Sequence, residues 1–398
     1  MELCKPDACT GCGACANACP QDCIHMEPDA EGFLHPVVKE ETCIRCGRCA
    51  KSCPVAASTE SRRAGKTETK AYGACCKDEE IRLASTSGGV FTALCIWVLQ
   101  RGGVVFGAAY DDLFQVQHIF VKKREDLARL RGAKYAQSDI GYSFRQARRA
   151  LEDGRYVLFS GTPCQTAGLL TYLGKEYEKL ILADVICHGV PSPAVWQEYL
   201  RYRSRTDAQG SSLAAVYLRS KETGWPNYSV HITYANGTEY RASHTEDPYM
   251  RAFVGNLCLR PACYNCQFKG LARTSDFTLG DYWGVWNQIP AFNDGKGTSL
   301  VLVHSEKAVR IWEELHQGLR YEQVDAATAL AENPSALHAP PKSLSRKTFM
   351  ENYSVQDFEQ LTKRLYPVPV PRKSVFWKRY LKKGLKWLLR DGKSGSLN

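Results

Sequence analysis

The sequence predicts an α/β protein with antiparallel β elements, preceded by a small module that is rich in cysteine. Two observations support this prediction. One cysteine pattern occurs twice within the first 54 residues. Further along the chain, short apolar segments that run into glycine-containing turns alternate with segments of helical length, an order typical of strand–turn–helix units in a parallel sheet.

The repeated pattern is Cys-x2-Cys-x2-Cys-x3-Cys-Pro, and its cysteines are Cys9, Cys12, Cys15, Cys19, Cys43, Cys46, Cys49 and Cys53. Three thiolates at this spacing can surround one corner of an iron–sulfur cubane, while the fourth reaches across to the other cluster. The pattern therefore predicts a ferredoxin-like module over residues 1–57 with two 4Fe-4S clusters. The expected ligands are Cys9, Cys12, Cys15 and Cys53 for one cluster and Cys43, Cys46, Cys49 and Cys19 for the other.

A disulfide knot and a structural zinc site are the alternative uses of these cysteines. Zinc is typically held by two separated Cys-x2-Cys pairs, and a duplicated triple run with both prolines matches neither alternative well. Cys4 and Cys23 lie outside the repeat, and we expect no ligand role for them.

Length and composition set wider limits. A chain of 398 residues has room for about two or three domains. Its 18 cysteines would suggest disulfides in a short secreted protein, but the sequence opens without the basic and apolar regions of a secretion signal. No apolar run approaches the roughly 20 residues that span a bilayer. We therefore expect a cytoplasmic protein with reduced, metal-binding thiols.

The net charge of +10 is concentrated at the C-terminus, where residues 372–398 contain nine Lys or Arg and one Asp. There is no overall basic field, and nucleic-acid binding is not expected. A basic face in this tail opposes an apolar face formed by Trp377, Leu381, Leu385 and Leu388. This pattern predicts an interfacial helix and a peripheral position on the inner face of a membrane. Docking on a partner protein or full solvation are the alternatives.

A polar stretch at 58–70 predicts a linker, and the main α/β domain follows over residues 71–330. Small residues precede the first predicted helix of this domain, at 90–99, and among them are Ser87, Gly88 and Gly89. A helix start of this kind leaves backbone amides free to bind an anion such as a diphosphate. A plain N-cap has the same pattern.

Strands are predicted next at 104–110 and 116–121, followed by a charged helix. Arg131 and Lys134 then lie on either side of Gly132. Two cations beside a glycine suit a phosphate clamp, but a solvated loop would have the same composition.

A strand predicted at 156–159 runs into Gly161 and Thr162 and then into a helix that ends near Leu173. The carboxyl end of such a strand is the usual place for a cofactor phosphate in α/β proteins. Cys164 falls in the first helical turn, where the helix dipole favours a thiolate. It would be a metal ligand, a redox thiol or a structural cysteine.

A second cysteine, Cys187, ends the next predicted strand, at 180–186, and is followed by His188. Downstream, a third group consists of Cys258, Cys263 and Cys266, which is incomplete for a four-thiolate site. The preferred set for a third 4Fe-4S cluster is Cys164, Cys187, Cys263 and Cys266, with Cys258 as the substitute. A four-thiolate zinc site is the alternative.

Alternating segments between 213 and 242, with an Asn-Gly turn at 236–237, predict an antiparallel insert. A helix at about 194–203 precedes this insert, and a strand at 300–303 and a helix at 306–319 close the domain. Proline-rich stretches predict a connector over residues 331–371 before the basic tail.

Five stretches carry a family resemblance: 85–89 (Ser-Thr-Ser-Gly-Gly), 131–135 (Arg-Gly-Ala-Lys-Tyr), 161–165 (Gly-Thr-Pro-Cys-Gln), 184–193 and 263–283. In this order they resemble the beta subunits of the coenzyme F-420 hydrogenase/dehydrogenase family, in the bacterial form fused to an N-terminal ferredoxin. Members of that family bind FAD, carry an iron–sulfur cluster beside it and exchange a hydride with the deazaflavin F-420.

The resemblance implies a flavin-binding domain in two parts, 71–155 and 156–330, with the inner cluster beside the flavin. It implies that FAD is held partly by Ser87, Gly88, Gly89, Lys134, Gly161 and Thr162. Ala133 stands where Ser is more usual, which removes one hydroxyl from the phosphate clamp. Relatives of this form occur in surface-polysaccharide assembly and, in plants, reduce a chlorophyll intermediate, so the resemblance leaves the hydride partner open.

We therefore expect an iron–sulfur flavoprotein oxidoreductase that passes electrons between 4Fe-4S clusters and FAD and exchanges a hydride with F-420 or another small molecule. One alternative is an electron-transfer subunit that feeds a partner enzyme at the membrane and has no substrate of its own. Another is a metal-stabilised scaffold in envelope assembly. His188 would donate a proton near the flavin or serve as a hydrogen-bonded structural histidine.

Overall fold

The computed structural model describes residues 3–56 and 68–367. A small N-terminal module is followed by a mixed α/β domain, which is the fold class that the sequence predicts. The amphipathic tail at 372–398 and most of the predicted linker lie outside these residues. In the two described ranges, no helix combines the length and apolarity needed to cross a membrane.

The N-terminal module repeats one local structure, as its sequence does. Gly13 and Gly47 each have a φ of 71°, a conformation that glycine adopts without strain. Each glycine starts a short helix that contains the third cysteine of its run. The elements of the module are α1 (Ala14–Ala18), β1 (Ile24–Pro28), β2 (Leu34–Val38) and α2 (Arg48–Lys51), with β1 and β2 antiparallel.

An eight-stranded mixed sheet forms the centre of the main domain, and a separate three-stranded sheet forms the insert. The first strands of the large sheet are β3 (Lys70–Cys76), β4 (Val104–Tyr110), β5 (Val116–Val121), β6 (Val157–Gly161) and β7 (Leu180–Val185). The insert contains β8 (Leu213–Ser220), β9 (Ser229–Tyr234) and β10 (Glu239–Ser243). The large sheet is completed by β11 (Phe277–Asp281), β12 (Ser299–Val303) and β13 (Leu319–Val324).

The strand order across the large sheet is β13-β3-β12-β11-β7-β6-β4-β5. The neighbours β11, β7, β6 and β4 run parallel to one another, and the remaining pairs are antiparallel. The carboxyl ends of the parallel strands therefore meet at one edge of the sheet. This edge is where open α/β sheets bind their ligands.

The helices of the main domain differ widely in length. They are α3 (Glu79–Leu83), α4 (Val90–Gln100), α5 (Ser143–Glu152), α6 (Pro163–Leu173), α7 (Pro193–Ala208), α8 (Pro248–Val254), α9 (Val285–Gln288), α10 (Glu306–Leu315), α11 (Ala326–Leu330), α12 (Pro334–Leu337), α13 (Arg346–Asn352) and α14 (Phe358–Leu365). The charged helix expected after β5 is a 3-10 helix, Glu125–Leu130, and the predicted helix at 306–319 ends at Leu315.

Helices cover both faces of the large sheet. Successive residues of a strand point to opposite faces, so neighbouring residues of β6 pack against different helices. Leu158 of β6 packs in a core with Leu94 of α4 and Trp312 of α10. Its neighbour Phe159 packs in a second core with Phe144 of α5. The result is a three-layered domain whose parallel centre is buried on both sides.

The predicted antiparallel insert is present. β9 and β10 pair across the turn at Asn236 and Gly237, with Thr233 opposite Glu239. The insert does not stand alone, because Val230 packs in one apolar core with Trp196 of α7.

The region predicted as a proline-rich connector is folded as far as residue 367, so that prediction is wrong for residues 331–367. These residues contain α12, α13 and α14, and Phe349, Phe358 and Leu361 are buried in the core that also holds the insert. Pro334 is the first residue of α12, a position that proline favours. Proline therefore marks the start of a helix here, whereas the sequence-based prediction took the proline-rich composition as a sign of extended chain.

Replacing Phe349 by Ala should destabilise the main domain. Phe349 is 0% exposed, and truncating it would leave a cavity that costs about 3–5 kcal/mol in the free energy of unfolding. Leu344→Ala is the matched control, because Leu344 lies in the same region with its side chain in solvent. Anaerobic thermal unfolding followed by circular dichroism measures both, and equal midpoints for the two variants would contradict a core role for this region.

Candidate iron–sulfur centres and the adjoining crevice

The duplicated cysteine runs surround two open cavities in the N-terminal module. Cavity A has about 370 Å³ of empty space, and the repeat cysteines that line it are Cys9, Cys12, Cys15 and Cys53. Cavity B has about 350 Å³, and its repeat cysteines are Cys43, Cys46, Cys49 and Cys19. Each cavity thus receives three cysteines from one run and the fourth from the other, which is the grouping that the sequence predicts.

The chemistry of these walls fits an iron–sulfur cluster. Burial is the first cause that raises the pKa of the Cys15 thiol to about 12, so without a cation the thiol stays protonated. Iron removes such protons and binds the thiolates. Within residues 3–56 and 68–367, no three Cys, His, Asp or Glu side chains are grouped for a single metal ion. The thiols instead line two cavities of about 370 and 350 Å³, so their arrangement suits a cluster better than a single ion.

The two cavities differ in their surroundings. Cys46 in the wall of cavity B is exposed, whereas Cys12 in the wall of cavity A is buried. A Cβ atom added to Gly168 of α6 would lie 3.0 Å from the Cys12 Sγ atom. Cavity A therefore adjoins the main domain through a close contact at Gly168, where a side chain would force Cys12 to shift by a few tenths of an ångström. Cavity B has the exposed Cys46 in its wall.

Cys4 and Cys23, for which the sequence analysis expected no role, both lie in cavity walls. Cys4 lines cavity A. Cys23 lines cavity B, with its Sγ atom 3.3 Å from that of Cys19. Each cavity therefore has a fifth thiol that the spacing of the repeat did not indicate.

The inner cysteines come together at the carboxyl edge of the parallel strands. Cys164 follows β6 in the first turn of α6, and Cys187 follows β7. Burial raises the pKa of the Cys164 thiol to about 12, and the nearby Cys266 and Cys187 thiols raise it further. The pKa of Cys187 is also raised to about 12 by burial, with Cys263 and Cys266 as neighbouring thiols. The preferred set of four is thus brought together.

Cys258, the substitute in that set, lies elsewhere. It is buried in the core of the insert with Tyr249 and Phe253. Burial raises its thiol pKa to about 12, and the charged neighbour that acts on it is Arg346. The structure therefore favours Cys187 over Cys258 as the fourth member.

The predicted phosphate-binding stretch before α4 is held in place by internal hydrogen bonds. Ser87 Oγ donates to the Thr298 carbonyl at 2.8 Å, and the Gly88 amide donates to Ser299 Oγ at 2.9 Å. A Cβ atom at Gly88 would lie 2.2 Å from the Ala74 carbonyl oxygen, so no larger residue fits. Gly89, with a φ of 92°, is the residue before α4.

Lys134 and the turn at Gly161 lie at the same edge of the sheet. The Lys134 Nζ atom donates to the Arg131 carbonyl at 2.7 Å and lies 5.6 Å from the centre of the Tyr110 ring at the end of β4. Burial lowers the pKa of Lys134 to about 8. Thr162 caps α6 in a reciprocal pair with Gln165, whose Oε1 accepts from the Thr162 amide at 2.9 Å.

Two cations that the sequence analysis missed come from β8 and the residue after it. Arg219 is 5% exposed and pairs with Asp281, at the carboxyl end of β11. Its Nε and the second of its terminal nitrogens have no hydrogen-bond partner in the described part of the chain. Lys221 Nζ donates to the Ser87 carbonyl at 2.7 Å, which fixes the stretch before α4. More and less buried residues alternate along β8 as they do in many strands, so nothing in the sequence marks these two cations as functional.

His188 makes hydrogen bonds through both ring nitrogens. Nδ1 lies 3.2 Å from Ser335 Oγ, and Nε2 lies 2.7 Å from Asn256 Oδ1. Burial lowers the pKa of His188. These two hydrogen bonds are those of a structural histidine, which was one of the two expected roles. The other role, proton donation near the flavin, stays a prediction.

Three family models match this chain. Residues 8–57 match the 4Fe-4S dicluster domain. Residues 71–143 match the N-terminal part, and residues 154–328 the C-terminal part, of the coenzyme F-420 hydrogenase/dehydrogenase beta subunit. The chain belongs to this beta-subunit family and carries a 4Fe-4S dicluster domain at its N-terminus. It is therefore an iron–sulfur electron-transfer protein of an oxidoreductase family.

Solved structures add a distant likeness. A chain of the F-420-reducing nickel–iron hydrogenase complex from Methanosarcina barkeri, studied with xenon, has 18% identity and a TM-score of 0.44. The match covers 76% of this chain and 93% of that one. No curated protein sequence matches.

The crossed grouping of cysteines makes a direct prediction. Cys53→Ala should give the same electron paramagnetic resonance spectrum as Cys12→Ala, because both remove a wall of cavity A. Cys19→Ala should match Cys46→Ala, and each variant should lose about four irons. Cys95→Ala, a buried thiol in the main core, is the control with full iron. If Cys53→Ala instead matched Cys46→Ala, the clusters would not exchange their fourth ligands.

Proposed function

We propose that the protein is an iron–sulfur flavoprotein oxidoreductase in which electrons pass between the N-terminal clusters, an inner 4Fe-4S cluster and FAD. The observation that carries the proposal is the position of Cys164. Its thiol belongs to the inner set of four cysteines and is also among the neighbouring charges that raise the pKa of buried Cys12 in cavity A. One continuous series of thiols thus leads from the module into the crevice.

The proposed electron path has a defined order. Cavity B is the outer end, because Cys46 is exposed. Cavity A comes next, in contact with α6 through Cys12 and Gly168. The inner set follows at the start of the same helix. A partner protein would exchange electrons at cavity B, and the direction of flow depends on that partner.

The crevice residues suit an anionic cofactor such as FAD. The residues proposed to hold it are Ser87, Gly88, Gly89, Lys134, Gly161 and Thr162, and we propose Arg219 as a further one. The free donors of Arg219 and the half-buried amine of Lys134 are cations at the edge where α/β folds bind ligands. When bound, FAD would convert single electrons into a two-electron hydride step. The hydride would go to or from F-420 or another small molecule.

An electron-transfer subunit without a substrate of its own is the second candidate. The exposed Cys46 at cavity B supports this second candidate, because a partner enzyme could accept electrons from the protein at that point. Reduction of F-420 by the isolated, chemically reduced protein would decide between the two. A link to surface-polysaccharide assembly rests on the resemblance alone, and membrane contact would depend on residues 372–398, which lie outside the described chain.

Protein purified without oxygen should contain flavin and about twelve irons, the sum for three 4Fe-4S clusters. Cys187→Ala should lower the iron content by about four and keep the module spectra. Cys258→Ala should keep all of the iron, because its thiol lies apart from the inner set. Zinc in place of the inner irons, or iron loss in the Cys258 variant alone, would overturn the proposed inner cluster.

Flavin binding should weaken with rising pH. The Lys134 amine has a pKa lowered to about 8 by burial, so the free protein loses this positive charge above that pH, while a bound diphosphate would keep the amine protonated. Linkage then gives a fall in FAD affinity of about tenfold from about pH 7 to about pH 9.

Lys134→Arg should retain binding and remove this pH dependence, because arginine stays charged. Lys134→Met should bind weakly at every pH. Fluorescence titration of flavin-depleted protein measures these affinities. An unchanged pH profile in the Met variant would show that another group is responsible.

A further inference from the structure

Arg260 is buried at the junction between the N-terminal module and the main domain. The residue is 1% exposed. Its Nε donates to the Cys9 carbonyl at 2.6 Å, and one terminal nitrogen donates to the Leu34 carbonyl at 3.0 Å. The other terminal nitrogen donates to Gln137 Oε1, in the main domain, at 2.8 Å. The guanidinium therefore joins the wall of cavity A to the main domain.

The backbone of Arg260 forms hydrogen bonds with the loops that hold the inner cysteines. Its carbonyl accepts from the Cys263 amide at 2.9 Å, and its own amide donates to the Val190 carbonyl at 2.9 Å. The Val190 amide in turn lies 3.5 Å from the Cys263 Sγ atom. One residue thus contacts the loop of Cys9 through its side chain and the loop of Cys263 through its backbone.

Two other buried arginines of the described chain are paired with carboxylates. Arg82 pairs with Asp294 at 2.6 Å, and Arg346 pairs with Glu31 at 2.5 Å. The Arg260 guanidinium meets carbonyl oxygens, an amide and the ring of His35, whose Nε2 lies 3.0 Å away. No carboxylate of the described residues lies within ion-pair distance of it. The pKa of His35 is lowered first by burial and then by the Arg260 charge, and the Asp29 carboxylate, 3.2 Å from the same Nε2 atom, acts against both.

A buried cation without a direct counter-charge is costly, and thiolates are among the groups that can balance Arg260. Burial is the main cause that raises the pKa values of Cys164 and Cys263, and the positive charge of Arg260 acts against it at both thiols. The same charge acts on Cys4 in the wall of cavity A. Thiols on both sides of the junction therefore lie within its electrostatic reach.

We propose that Arg260 is a shared counter-charge that raises the reduction potentials of the cavity A cluster and the inner cluster together. A cluster held by four thiolates carries net negative charge, which grows by one when it accepts an electron, so a fixed nearby cation stabilises the reduced form. Because Arg260 contacts both the wall of cavity A and the loop of Cys263, its single charge would act on both potentials. This inference rests on the proposed function, since it needs both clusters.

The test is a redox titration of full-length holoprotein followed by electron paramagnetic resonance. In Arg260→Gln, the ratio of reduced to oxidised cluster at fixed potential should fall by about tenfold for cavity A and the inner cluster, about 59 mV for one electron. The cavity B cluster should be unchanged. Arg260→Lys, which keeps the charge, should resemble the wild type.

Two further variants separate charge from mechanical support. Gln137→Glu places a carboxylate against the guanidinium and should lower the same two potentials, even if Arg260→Gln fails to fold. In this variant Arg260 keeps its bonds to the Cys9 and Leu34 carbonyls. Arg346→Gln removes another buried arginine that bonds the module, through Glu31, to the Leu259 carbonyl. It should loosen the module without changing the potentials.

Equal effects of the Lys and Gln variants at Arg260, a uniform shift of all three clusters, or no shift in Gln137→Glu would overturn the proposal. These failures are distinct from a failure of the proposed function. If wild-type protein lacks the inner cluster by iron analysis, the function is wrong. If it has all three clusters and their reduction potentials are unchanged by these substitutions, the Arg260 inference alone is wrong.

Discussion

The close contact between Cys12 and α6 is the constraint on which the rest of this structure depends. A side chain at Gly168 would press on the Cys12 Sγ atom at 3.0 Å, so the absence of a side chain lets cavity A lie against the main domain. Cys164 opens the same helix. Because electron transfer weakens steeply with distance, this packing contact is what allows us to propose that the ferredoxin-like module and the inner cysteines belong to one redox path.

Burial of charge is the second theme. Burial raises the pKa of thiols such as Cys15 and Cys164, which bind metal only after losing their protons. Burial also lowers the pKa values of Lys134 and Lys221 to about 8. Such groups are unfavourable in an empty crevice and favourable beside an anion. Their concentration at the carboxyl edge of the parallel strands, together with Arg219, is the physical basis for expecting anionic cofactors there.

Local patterns predicted much of the fold. The strands β4 to β7 and the Asn-Gly hairpin of the insert agree with their apolar runs and turn residues, because these signals are local. The strands β3, β11 and β13 are absent from the sequence-based prediction, and each pairs with at least one strand that is distant in sequence, such as β3 with β13 and β11 with β7. It also read residues 331–367 as a connector, although Phe349 and Phe358 are buried. Sparse apolar residues in short helices give little periodicity, and only long-range packing shows that they belong to the core.

The sequence by itself identified the module as a 4Fe-4S dicluster domain, since the spacing of its eight cysteines is typical of one, and it predicted which thiolates share a cubane. It also gave the four inner cysteines as a preferred set. Only the tertiary structure separated Cys258 from that set, placed Cys4 and Cys23 in the cavity walls, and brought Arg260 between the two groups of thiols. The reason is physical: spacing along the chain constrains neighbours in one loop, whereas burial and charge balance depend on segments that meet only when the whole chain has folded.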